Sequence, residues 1–232
     1  MNKQISAFFT LSVLSLASAS AADLDIKLTN LTHGIYFTPV LLAAHNSDTH
    51  FYREGIAASL NLQAMAEGGD ISGLSMDAQS MGGDVLENPA VGLLAPGASF
   101  TTNLTSAMDN MYLSLTAMLL PTNDGFVGVD SLMIPTTPGT YTYHLNAYDA
   151  GTEANDELIS GGGAPGVAGI PADPGGMAGA NGSGVAMSDV NTMVHIHRGN
   201  LGDTDSNAGI SDLNSTVHRW LNPVAELVIT VN

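Results

Sequence analysis

The 232-residue chain contains no cysteine and very little positive charge. Five Lys and Arg residues stand against 22 Asp and Glu residues, which gives a formal net charge of −17. Without cysteine, the fold cannot rely on disulfide bonds. An acidic surface repels phosphate backbones and anionic lipids, so the composition disfavours nucleic-acid and membrane-surface roles. It makes divalent cations natural partners, although acidity that serves only solubility is the alternative.

Long hydrophobic runs are missing everywhere except at the N-terminus. Lys3 precedes an apolar run at residues 5–16, and residues 17–22 are the small residues that a signal peptidase requires. We therefore predict a cleaved secretory signal peptide at residues 1–22 and a secreted or periplasmic mature protein. Beyond this segment no run reaches the ~18 apolar residues of a membrane-spanning helix, so we expect no membrane span.

Motifs that carry common catalytic chemistry are also absent. The chain has no G-x-S-x-G elbow, no H-E-x-x-H pair and no G-x-x-x-x-G-K-[ST] loop. Cysteine chemistry is excluded by composition. We therefore expect that the protein is not an enzyme.

The many short strand-like runs, frequent turn signals and few helical stretches predict an all-β fold, an antiparallel β-sandwich. We expect a single domain over residues 23–232. An opening hairpin is predicted from residues 25–31 and 35–44, and a Gly/Pro/Ala tract at residues 160–185 predicts a long mobile loop. Two short helices are predicted at residues 51–66 and 71–80, and later strands at residues 98–104, 111–120, 126–134, 140–148, 193–198 and 225–231.

Two acidic loops flank the pair of strand-like runs at residues 126–134 and 140–148. Asp124 immediately precedes the first run, while Asp149 and Glu153 follow the second. If the runs pair antiparallel, Asp124 and Asp149 fall at the same edge of the sheet. Converging carboxylates with neighbouring glycines are typical of a Ca²⁺ site. The alternative is that these are ordinary turn residues, because Asn, Asp and Gly dominate turns for backbone reasons.

Two other stretches are possible metal sites. His195 and His197 alternate along a strand-like run, a spacing that suits zinc or copper, but we favour a structural pair hydrogen-bonded across the sheet. Residues 203–214 begin like an EF-hand, with Asp203, Asp205 and Asn207 at the first, third and fifth positions. That loop lacks the glycine of the sixth position and the glutamate of the twelfth. We interpret it as a polar loop, with weak calcium binding as the alternative.

Four short signatures, in this order and spacing, resemble the spondin N-terminal domain family. They are MLLPTNDGFVG at residues 118–128, YDAGTE at residues 148–153, HIHRG at residues 195–199 and HRWLNPVA at residues 218–225. The similarity extends over nearly the whole mature chain and is strongest to the bacterial secreted branch.

The resemblance implies a β-sandwich similar to C2 domains, with a Ca²⁺ site at one end of the sheets. Matching the family's ligand motifs assigns the metal to Asp124, Asp149 and Glu153. Glu153 stands where animal members have aspartate, and Gly125 replaces an aromatic residue. The resemblance also implies recognition or adhesion at the cell surface, with an unknown protein or glycan as partner. A metal-dependent extracellular hydrolase and a matrix protein with a purely structural metal are the alternatives.

Overall fold

The computed structural model describes residues 21–188 and 190–232. All but the last two residues of the predicted signal peptide lie outside these ranges. The strands are β1 (Ala22–Asn30), β2 (Tyr36–Phe37), β3 (Leu41–His45), β4 (Asp84–Glu87), β5 (Ser99–Ser106), β6 (Tyr112–Leu120), β7 (Gly125–Met133), β8 (Gly139–Asp149), β9 (His195–Ile196) and β10 (Ala225–Val231), and the helices are α1 (Leu60–Gly68) and α2 (Ser72–Ser80).

The strands form one antiparallel sheet in the order β4-β3-β6-β7-β8-β10-β1-β5. Strand β2 pairs with β6 and β9 pairs with β8. The two edge strands approach each other, because the Ala107 amide after β5 donates to Asp84 Oδ2 at the start of β4 (2.6 Å). The sheet thus nearly closes into a sandwich-like barrel, which confirms the predicted all-β antiparallel fold.

Alternating apolar residues on β1 and β10 explain the main core. Leu24, Ile26 and Leu28 are buried while their neighbours on β1 are more exposed, and β10 repeats the pattern. Successive strand residues point to opposite faces, so both strands turn one face inward. Each buried aliphatic side chain of this size contributes ~2 kcal/mol.

The two helices cover a second, smaller core on the outer face of the sheet. Leu62, Met65 and Leu74 from the helices pack there with Leu41 and Phe126 from the strands. Within the described residues, none of the helices has the length and apolar character needed to cross a membrane.

The predicted opening hairpin is wrong. Strand β1 pairs with β10 on one side and β5 on the other, and residues 35–44 divide into β2 and β3 around Pro39. Proline cannot donate a ladder hydrogen bond, so the run breaks there. Apolar alternation identifies β1 as a strand but does not identify its distant partners.

The first helix is shorter than its periodicity predicted. It begins at Leu60, where the Ser59 hydroxyl caps it by accepting from the Leu62 amide (3.1 Å). Phe51 and Tyr52 are apolar because they fill the outer core from a loop. The apolar residues that precede Leu60 therefore belong to a loop and not to the helix.

Candidate functional site

Asp124 and Asp149 lie side by side at one edge of the sheet, as the strand pattern predicted. Gly125, the first residue of β7, faces Asp149, the last residue of β8, in the ladder. The following loop binds both carboxylates through its amides. The Thr152 amide donates to Asp124 Oδ2 (2.8 Å) and the Gly151 amide donates to Asp149 Oδ1 (2.8 Å).

Asp124 is fully buried, and only one of its two oxygens is satisfied. Oδ2 accepts from Thr152 and from the Glu153 amide (3.2 Å), whereas Oδ1 has no hydrogen-bond partner among the described residues. Burial, followed by the negative charge of Asp149, raises the pKa of Asp124 to about 8. Asp124 is therefore either protonated or, when it is ionised, stabilised by a cation beside Oδ1.

Glu153 has the same deficit on the other side of the loop. Its Oε1 accepts from the amides of Asn123 (Nδ2, 3.2 Å) and Gly169, but its buried Oε2 has no partner in the described part of the chain. Burial raises the pKa of Glu153 to about 7, and the nearby charges of Glu67 and Asp156 act in the same direction. The structure thus turns the Glu153 side chain toward the Gly-rich segment.

Two asparagines support the carboxylates, and the sequence did not single them out. Asn155 Nδ2 donates to Asp149 Oδ2 (2.7 Å). Asn123 Oδ1 accepts from the Glu157 amide (3.1 Å) and its Nδ2 donates to Asp156 Oδ1 (2.8 Å) as well as to Glu153. Their closeness in sequence to the acidic motifs was the only available signal.

The acidic cluster formed by Asp124, Asp149 and Glu153 has the donor chemistry of a hard-cation site. Asp124 Oδ1 and Glu153 Oε2 are buried carboxylate oxygens without donors among the described residues, and they are ligands of the kind that Ca²⁺ prefers. The carboxylate of Asp149 lies beside that of Asp124, whereas the Glu153 side chain is turned toward Gly169. Across residues 21–188 and 190–232, no three His, Cys, Asp or Glu side chains converge closely enough to hold a metal by themselves. A bound ion would therefore take waters or carbonyl oxygens as well.

A family model matches the part of the chain that contains the acidic motifs. A sequence model described as Spondin_N matches residues 29–160, more than half of the chain. The chain belongs to the spondin N-terminal domain family. The match includes both acidic motifs of this spondin domain, whereas the HIHRG and HRWLNPVA signatures lie beyond it. No curated protein matches the chain at a significant level.

The two histidines of this spondin domain have separate partners. His195 Nδ1 donates to the Met193 carbonyl (2.8 Å) and lies 3.8 Å from Asp149 Oδ1. His197 Nδ1 accepts from the Gly199 amide (2.9 Å), and its ring packs on Trp220 with centroids 5.0 Å apart. Burial lowers the pKa of His197 to about 3. The side-chain hydrogen bonds of both histidines are to residues two positions away, which corrects the predicted pairing of these side chains across the sheet.

The EF-hand-like loop uses its first carboxylate internally. Asp203 Oδ2 accepts from the amides of Ile210 (2.8 Å) and Ser211 (3.0 Å), and Oδ1 accepts from the Asp205 amide (2.8 Å). These hydrogen bonds lower the pKa of Asp203. The side chain closes a turn, in agreement with the predicted polar loop.

Proposed function

We propose that this spondin domain is an extracellular recognition module whose acidic cluster binds Ca²⁺ through Asp124, Asp149 and Glu153. The observation that carries the proposal is the pair of buried carboxylate oxygens, Asp124 Oδ1 and Glu153 Oε2, that have no donor among the described residues. A buried, uncompensated carboxylate costs several kcal/mol, and a bound divalent cation removes that cost. Spondin N-terminal domains are extracellular, which supports the location.

Calcium suits this cluster better than zinc or copper. The unsatisfied donors are carboxylate oxygens, the chain has no cysteine, and the nearby His195 Nδ1 is hydrogen-bonded to a carbonyl. Hard oxygen ligands select Ca²⁺ or Mg²⁺, and the irregular arrangement favours Ca²⁺ because Mg²⁺ demands near-octahedral geometry.

The ion would link the start of β7 to the loop that follows β8. Asp124 lies on the first of these segments, while Asp149 and Glu153 lie on the second. A cation between them neutralises repulsion that burial otherwise amplifies, and it fixes the loop as a rigid surface. A carboxylate of a protein or glycan partner would complete the coordination shell. We assign no catalytic step to the site.

Calorimetric titration of chelator-treated mature protein with Ca²⁺ tests the site. Asp124→Asn and Asp149→Asn should each weaken binding by ~100-fold, or ~3 kcal/mol, because each removes a charged ligand. Asp203→Asn is the matched control and should change the affinity less than ~3-fold, since Asp203 is engaged with backbone amides. Wild-type affinity in Asp124→Asn would refute the assignment.

A second experiment separates recognition from a structural metal and from hydrolysis. Labelled wild-type protein should bind intact cells in Ca²⁺ and lose that binding in chelator or as Asp124→Asn. Binding of Ca²⁺ to the native state must raise thermal stability. If it does so but cell binding is the same in Ca²⁺ and in chelator, the metal is structural only. Turnover of generic esters or phosphoesters that is lost in Asp149→Ala would instead show an enzyme.

A further inference from the structure

A cavity of about 430 Å³ opens at the end of the sheet opposite the acidic cluster. Two of its lining residues, Ala21 and Ala22, belong to the predicted signal peptide, and all its other lining residues belong to the mature chain. Strand β7 begins beside Asp124 and ends at Met133, which lines the cavity, so β7 separates the two sites by ~25 Å. None of the described residues that line the cavity is Asp, Glu, Lys, Arg or His. This is unusual in a chain whose net charge is −17.

Three methionines face this cavity, which we call the methionine cavity. Met108, Met111 and Met133 line it, and their exposed fractions are 58%, 49% and 64%. Fully burying a methionine stabilises a fold by ~2 kcal/mol. These three side chains are about half exposed or more, so each contributes much less than that to stability. Packing of the core therefore does not account for their position.

The backbone brings the three methionines together at the opening of the cavity. Met111 immediately precedes β6, and its carbonyl accepts from the Ile134 amide at the end of β7 (2.9 Å). Tyr112 faces Met133 in the ladder. Met108 lies in the turn just before, which the Asn110 amide closes on the Ala107 carbonyl (3.0 Å).

Thioether sulfur is a soft ligand that selects Cu(I) over hard cations. In a chain without cysteine, methionine is the only source of sulfur ligands. Methionine also has three rotatable side-chain bonds, so the sulfurs of neighbouring residues converge on an ion at little cost. The negative field of the whole protein concentrates cations at its surface.

We propose that the methionine cavity is a site for Cu(I), bound by the thioether sulfurs of Met108, Met111 and Met133. The ion binds without a change of oxidation state. The site is independent of Ca²⁺ and of the acidic cluster. The alternative occupant is an apolar small molecule, because none of the described lining residues has a charged side chain.

Methionine-to-leucine substitutions distinguish the two occupants. Leucine keeps the size and apolar character of methionine but has no sulfur. The mature protein is titrated by calorimetry with Ag(I), a redox-stable probe for Cu(I), in chloride-free buffer. Wild type should bind one ion. Met108→Leu, Met111→Leu and Met133→Leu should each weaken binding ~10-fold or more, and the triple variant should not bind.

Met76→Leu is the matched control, because Met76 is 62% exposed on α2 and does not line the cavity. It should bind Ag(I) as wild type does. In NMR spectra of protein labelled at the methionine methyl groups, Ag(I) should shift the signals of Met108, Met111 and Met133 and leave Met76 unchanged.

Two results would overturn the proposal. One is a triple variant that binds Ag(I) with wild-type affinity. The other is a wild-type protein that does not bind Ag(I), while an apolar dye binds wild type and triple variant equally; that outcome would make the cavity an apolar-ligand site. The methyl shifts decide the assignment even if a variant folds poorly.

Discussion

The acidic cluster and the EF-hand-like loop at residues 203–214 contain the same side chains in opposite environments. Asp203 is partly exposed, and three backbone amides donate to its two oxygens. Asp124 is buried, and Oδ1 has no donor within the described residues. The spacing of carboxylates made the loop look like a calcium site, but the loop already satisfies its ligands. Capacity for a cation depends on the oxygens that the fold leaves unsatisfied.

Glu157 sharpens this comparison because it is as buried as Asp124 yet fully satisfied. Its Oε1 accepts from the Leu201 amide (2.6 Å), and its Oε2 accepts from the Gly202 amide (2.8 Å) and the Ser211 hydroxyl (2.7 Å). Glu157 thereby anchors the EF-hand-like loop to the segment that follows the acidic cluster. Burial alone therefore does not identify a ligand.

The largest expected difference in the free energy of unfolding is between the variants that neutralise Glu157 and Asp124, measured in chelator at pH 8. Glu157→Gln places an amide NH₂ against donors and should reduce the free energy of unfolding by ~3 kcal/mol. Asp124→Asn removes an uncompensated charge and should leave stability unchanged or raise it. Urea denaturation measures both. Equal losses in the two variants would contradict the distinction between satisfied and unsatisfied carboxylates.

The sequence predicted the meeting of Asp124 and Asp149 because β7 and β8 are consecutive. A short connection makes neighbouring strands pair antiparallel, and the observed register follows. The sequence did not predict which Asp124 oxygen lacks a donor, because that depends on the Thr152 amide donating to Oδ2 and not to Oδ1. Such choices are set by loop geometry rather than by residue type.

The sequence also did not predict which strands pair when they lie far apart in the chain. The place of β1 between β10 and β5 depends on segments far along the chain. The Gly-rich tract at residues 160–185 shows the same limit. Its mobility stays a prediction, but the Gly166 amide donates to Glu67 Oε2 (2.6 Å) and the Gly182 amide donates to Asp212 Oδ1 (2.8 Å). Glycine content indicates where backbone approaches closely but not which carboxylate it meets.

Alanine substitution of one glycine in each region should give the next largest effect. Gly151 and Gly209 both have positive φ, 69° and 97°, so alanine is strained at either position by ~1 kcal/mol. A Cβ at Gly151 would also lie 2.6 Å from the Thr192 carbonyl carbon, which is backbone, whereas at Gly209 it would meet the partly exposed side chain of Asp203.

Gly151→Ala should therefore lose ~3 kcal/mol and Gly209→Ala only ~1 kcal/mol in urea denaturation. Because Gly151 also donates to Asp149, its substitution should weaken Ca²⁺ binding, while Gly209→Ala should not. A Gly209→Ala variant as unstable as Gly151→Ala would show that the EF-hand-like loop is as rigid as the acidic cluster.

The smallest effect is a pH dependence of opposite sign in the two regions. The pKa of Asp124 is raised to about 8, so the native state holds a proton that the unfolded chain has released. In chelator, stability should therefore fall as pH rises from about 7.5 to 8.5, by ~0.7 kcal/mol per pH unit. The buried histidines, whose pKa values are lowered, have the opposite effect near pH 6.5, where the unfolded chain still binds protons at them, but they add little slope above about pH 7.5.

The lowered pKa of Asp203 has the reverse consequence, since its contribution is present at neutral pH and lost only as pH falls through the acid range. Asp124→Asn should nearly abolish the slope between about pH 7.5 and 8.5, because Glu153 and the histidines contribute little there. Asp203→Asn should leave the slope intact. Saturating Ca²⁺ should abolish the slope for wild type, because the ion keeps the carboxylates deprotonated in the native state, as they already are in the unfolded chain. A slope that persists in Asp124→Asn would place the titrating group outside the acidic cluster.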